Sequence, residues 1–161
     1  RHHARRSGLT AHRGRNGAGA HAYGQRAALG DAQVMDMVLR NTTTNDTPTV
    51  LTAGAAAAST TNQMILPNNS SCCARIKVTG YSSAGALATI IDCGMIRVAN
   101  AASTALIGAA VTGLSVADAG LATASVAVTA DTTNGGIAVT VTGVAATTIY
   151  WCAHVEIVQV A

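Results

Sequence analysis

Ser125-Val126-Ala127-Val128-Thr129-Ala130-Asp131-Thr132-Thr133-Asn134-Gly135-Gly136-Ile137-Ala138-Val139-Thr140-Val141-Thr142 reads as a β-hairpin. Val126 and Val128 on one arm, and Ile137, Val139 and Val141 on the other, alternate with Ala and Thr. That period of two belongs to strands with one buried face. Between the arms, Asn134-Gly135 is the strongest turn signal in the chain, because both residues tolerate the positive φ of tight hairpin turns.

The same grammar extends outward. Residues 148–160 alternate Ile149, Trp151, Ala153, Val155, Ile157 and Gln159 with Tyr150, Cys152, His154, Glu156, Val158 and Val160. A strand apolar on both faces suits a central position or a subunit contact. Residues 74–80 place Ile76 and Val78 on one face and Arg75, Lys77 and Thr79 on the other, a half-solvated antiparallel strand. Further strands are expected over 34–39, 49–52, 63–66 and 87–98, with a short edge strand at 105–107. Polar turns separate them, among them Asn41–Thr47 with Pro48, and Pro67-Asn68-Asn69. The alanines of 53–58 favour a helix but form too short a run beside Gly54 to make one. The fold class is therefore all-β, with residues 34–161 an antiparallel β-sandwich of jelly-roll type.

Residues 1–33 read differently. Gly8, Gly14, Ala4 and Ala11 recur sixteen positions later as Gly24, Gly30, Ala20 and Ala27. Short Ala/Gly-rich repeats build coils that need neighbours to bury a core. A repeat stem over 1–33 is expected, and its two copies look like the end of a longer shaft. The chain begins at Arg1 rather than Met, so an upstream segment is expected as well. No secretory signal is recognised, and the weakly polar stretch 101–117 lacks the Leu/Ile density of a membrane helix.

Composition points to assembly. Half of the 161 residues are hydrophobic (49%), yet aromatics make up only 2% and Phe is absent. A core of Ala and Val buries little area per residue at about 25 cal/mol per Å². Burial between identical subunits supplies what such a core lacks. Charge is split unevenly. The first 40 residues hold seven basic and two acidic side chains, a net +5, and the remainder three and five, a net −2. The basic arm reads either as solvated charge on an Ala/Gly coil or as a grip on an acidic surface or nucleic acid.

Sites of chemistry are not expected. Cys152, His154 and Glu156 share one strand face, but neighbours two apart lie nearly ~7 Å from each other, too far for a hydrogen-bonded triad. Of the acids Asp46, Asp92, Asp118, Asp131 and Glu156, three sit in turns, and Asp92 is expected to pair with Arg75 or Arg97. Paired catalytic carboxylates would have to be shared between chains. Cys72, Cys73, Cys93 and Cys152 lack metal-ligand spacing and are expected to be small buried hydrophobes in a reducing compartment. His2, His3, His12 and His21 form no HxH or HxxxH pair, leaving only convergence of one His per chain on a three-fold axis. No phosphate loop is present. No catalytic, cofactor or metal residues are assigned.

Several segments resemble the fibre and spike proteins of tailed bacteriophages. They are Gly24-Gln25-Arg26-Ala27-Ala28-Leu29-Gly30-Asp31-Ala32-Gln33, Val38-Leu39-Arg40, Thr47-Pro48-Thr49, residues 61–69 with Leu66-Pro67-Asn68-Asn69, and Ala130-Asp131-Thr132-Thr133-Asn134-Gly135. The Ala/Gly repeats are similar to the head repeats of trimeric autotransporter adhesins, which form β-rolls. The resemblance implies a non-enzymatic virion structural protein, assembled in the host cytoplasm. It would be a homotrimeric fibre or spike on tail or head that contributes to host attachment. Its partners would be its own copies, other virion proteins and a host receptor, without membrane insertion. Two alternatives stand beside it, a capsid decoration protein that cements the head shell and a fragment of a glycan-degrading tailspike. The turns Asn41–Thr47 and Asp131–Gly136 are nominated as binding loops, since loops carry recognition.

Overall fold

A computed structural model describes residues 18–22, 27 and 31–161. Their strands are β1 (Ala18–His21), β2 (Ala32–Thr43), β3 (Thr49–Val50), β4 (Met64–Ile65), β5 (Ser70–Ser82), β6 (Gly85–Arg97), β7 (Ala105–Leu106), β8 (Val111–Ala117), β9 (Ser125–Asp131), β10 (Gly136–Thr142) and β11 (Ile149–Val160). Two single-turn 3-10 helices, Ala101–Ser103 and Ala119–Leu121, are the only helical elements among the described residues.

Every strand pairing is antiparallel. The larger sheet runs β1-β2-β11-β5-β6, and both β7 and β8 sit on the far side of β6. In the smaller sheet β10 is central. β9 covers one of its edges, and β3 and β4 share the other. The terminal strand β11 is indeed interior, paired along its full length with β2 and along most of it with β5.

One core lies between the sheets. The larger contributes Met37, Leu39, Ile76, Val155, Ile157 and Trp151, and the smaller Leu51, Met64, Leu66, Val128, Ile137, Val139 and Val141. Trp151 is the one large aromatic in it. Its indole Nε1 donates to Thr43 Oγ1 at 2.9 Å, satisfying a buried donor. The ring fits because its cross-strand partner is Gly80.

The hairpin forms where its turn chemistry places it. Gly135 adopts φ +81°, and its N–H donates to the Asp131 carbonyl at 2.7 Å. The Asp131 carboxylate accepts from Thr133 N, Asn134 N and Asn134 Nδ2 at 2.8–2.9 Å. Burial pushes that carboxyl up, but these donors outweigh it and hold it below the ordinary range.

Three expectations need correction. The strands expected over 49–52 and 63–66 are only two residues each, because loop backbone rather than strand ladder takes up their flanks. Strand β8, which sequence alternation does not announce, occupies the last seven residues of the stretch 101–117 that reads as weakly polar. Only Cys72 and Cys93 are buried, whereas Cys73 and Cys152 are exposed. Alternation sends the latter pair to the uncovered face. Burial raises the Cys72 thiol to about 12 and the Cys93 thiol to about 11, and all four cysteines are free. Of the repeat stem, only residues 18–22, 27 and 31–33 fall within the description, and β1 pairs there with 34–37. The rest of the stem, and its β-roll reading, lie outside the described residues.

Candidate functional site

The smaller sheet covers one face of the larger sheet and leaves the other open. Alternation along the strands presents Val34, Asp36, Val38 and Arg40 of β2 on that open face. It adds Tyr150, Cys152, His154, Glu156, Val158 and Val160 of β11, and Cys73, Arg75, Lys77, Thr79 and Tyr81 of β5. Register turns these into rows across the strands. Asp36, Glu156, Arg75 and Asp92 form one row, and Val38, His154, Lys77 and Ile90 the next. A third joins Val34, Val158 and Cys73, and a fourth pairs Tyr150 with Tyr81.

The central rows hold three carboxylates, Asp36, Glu156 and Asp92, and two cations, Arg75 and Lys77. Arg75 grips Asp92 with two bonds, Nε to Oδ1 at 2.7 Å and Nη2 to Oδ2 at 3.0 Å. The guanidinium beside Asp92 holds that carboxyl below its ordinary value. Lys77 Nζ meets Glu156 Oε2 at 3.0 Å and lowers Glu156 likewise. His154 Nε2 lies 3.9 Å from Asp36 Oδ2. Exposed pairs of this kind contribute little to stability, but they fix which groups neighbour one another.

Apolar groups flank this charge. Tyr150, Tyr81 and Val158 are each more than 60% exposed, and Val34, Val38 and Val160 close to half. Scattered apolar side chains on a surface are ordinary, and here six of them lie on adjacent strands of one open sheet.

The sequence-nominated residues fall as follows. Cys152, His154 and Glu156 do share one face of β11, and their cross-strand neighbours are Arg40 and Thr79, Val38 and Lys77, and Asp36 and Arg75 respectively. His154 lies 3.9 Å from the Asp36 carboxylate. Asp92 pairs with Arg75, while Arg97 instead donates to the carbonyls of Leu66 and Gly135. Asp118 accepts from Ala86 N at 2.8 Å. The carboxylates brought side by side are Asp36 and Glu156, a juxtaposition set by strand register and invisible to linear spacing. They stand on an open sheet. The nominated turns are less available than expected. Asn41–Thr43 belong to β2, and Gly135 and Gly136 are buried beneath Arg97 and β4.

A hollow of about 310 Å³ lies between Asn69, Ser70, Ser71, Ile96, Arg97 and Val98. Among the described residues no three His, Cys, Asp or Glu side chains are grouped to hold a metal ion. No helix among them is long and apolar enough to cross a membrane. No family model, curated protein or solved structure matches this chain.

Proposed function

We propose that this chain is a non-enzymatic structural protein of a bacteriophage virion, a homotrimeric fibre or spike subunit that contributes to host attachment. The observation that carries the reading is the open face of the larger sheet, where Tyr150, Tyr81, Val158, Val34, Val38 and Val160 stand exposed around a centre that holds two ion pairs. An open apolar surface on a chain with a core this poor in aromatics is suited to burial against further subunits. The segments resembling phage fibre proteins supply the virion context. Multivalency then follows from assembly, since three copies of a weak receptor site gain effective affinity when their spacing matches the target.

The uneven charge favours a second reading. Five of the ten basic residues precede residue 18, and that arm suits a decoration protein gripping an acidic capsid surface. Immunogold labelling of the particles that carry the protein separates the two. Label on tail or head projections is the expected result. A uniform lattice of label over the capsid shell would favour decoration, and label confined to particle-free lysate would contradict both.

A further inference from the structure

We infer that β8 is an inter-subunit seam, completed by strand addition from a second copy of this chain. The inference rests on the self-association proposed above and names where it occurs.

Among the described residues β8 pairs with β6 alone, so its other edge presents unpaired backbone. All seven of its residues are exposed, on both faces of the sheet. Natural sheets guard such an edge with charge, proline, brevity or a bulge. Here charge and proline are absent, and the bulge next to Gly113 lies toward the start of the strand, away from Ser115 and Ala117. Residues 98–117 contain no Asp, Glu, Lys, Arg or Pro, and the strand is Val-Thr-Gly-Leu-Ser-Val-Ala.

The geometry of the free edge is defined. Asp118 N donates to Ala86 O at 2.9 Å. Backbone groups alternate along an antiparallel strand, so the N–H groups of Ala117 and Ser115 point away from β6. They are donors waiting for an acceptor strand. A bulge between Ile90 and Ile91 shifts the register next to Gly113. Its effect is to place Val111, Leu114 and Val116 together on the open face, opposite Asp92, Ile90 and Ala88. They are 63%, 41% and 53% exposed, so the edge offers apolar area as well as hydrogen bonds.

A second copy fits this edge for two reasons. A neutral strand accepts another neutral strand without like-charge repulsion in any register. Among the described residues the sheet also has matching ends, β1 and β8. The path β1-β2-β11-β5-β6-β8 has antiparallel pairing at every step, so β1 and β8 run in opposite directions. A copy related by rotation about an axis along the strands therefore brings an antiparallel edge to β8. Strand addition supplies direction and register, and the apolar side chains supply burial.

Amide hydrogen exchange on the full chain, at concentrations below and above self-association, tests this. The N–H groups of Ser115 and Ala117 should exchange more than about tenfold more slowly in the assembled form. The variant Ala117→Pro removes an outward donor without touching the β6 ladder. It should lower the assembled mass while leaving the circular dichroism spectrum unchanged. Assembly with both amides still fast, or an Ala117→Pro variant that assembles like the parent, would overturn the seam while leaving self-association intact. A chain monomeric at every concentration would overturn both.

Discussion

Gly80 and Thr43 hold Trp151 from two sides. A Cβ built at Gly80 would lie 2.5 Å from the indole ring, so Gly80→Ala forces the core's one large aromatic to move. Overpacking of this kind costs about 1–3 kcal/mol, read as a lower denaturation midpoint in urea. Thr43→Val keeps the shape but leaves the indole N–H without its acceptor, and the same assay should show a loss of about 1–3 kcal/mol. Asp131 is the residue whose effect depends on pH. Its folded carboxyl titrates below the ordinary 3.8, so its contribution is complete above that value and disappears as pH falls through the lower folded one. Asp131→Asn should therefore flatten the acid side of the stability profile below about pH 4, measured by thermal melts across pH. Asp131, Trp151 and Gly80 differ in how far the sequence announced them. Asp131 was readable from its turn, Trp151 from its phase on the last strand. Gly80 was not, because its role depends on the residue 71 positions away that register places opposite it.

At the scale of elements, what could be read was what alternates. Strand β5 announces itself because one face is buried and the other is not, and composition follows, whereas the β9–β10 hairpin is announced by its turn as well as its alternation, and β11 by its length and apolar content. Strand β8 has no buried face, so no selection for alternation acts on it, and its bulge interrupts what pattern remains. The two-residue strands β3 and β4 are too short to carry a period. The open face was half legible. Alternation showed that Cys152, His154 and Glu156 share a side, while the neighbours they meet, Arg40, Lys77 and Asp36, emerged only from pairing between strands far apart in sequence. At this scale the open face also makes a prediction. Tyr150→Lys with Val158→Lys changes two side chains that are more than 60% exposed, so the fold should be unaffected. Like charges gathered on the face should instead disperse the assembly, seen as a shift to later elution in size-exclusion chromatography with an unchanged circular dichroism spectrum.

At the scale of the molecule, a two-sheet sandwich whose core is built from Met, Leu, Ile and Val, rather than the expected Ala and Val, and holds one large aromatic leaves an open apolar face and a strand edge free of charge and proline on the same sheet. Both features are costly in an isolated chain and useful in an assembled one. Two of the three carboxylates at the centre of the face keep a cation of their own, in the Arg75–Asp92 and Lys77–Glu156 pairs, when the face is buried against a copy. The proposed trimer, the seam at β8 and the proposed role in a virion all depend on this chain meeting its own copies. Multi-angle light scattering on the purified full chain tests that most directly. The expected result is a species at three times the 16.0 kDa chain mass that gives way to monomer only on strong dilution. A monodisperse 16.0 kDa monomer across the same concentrations would contradict the account.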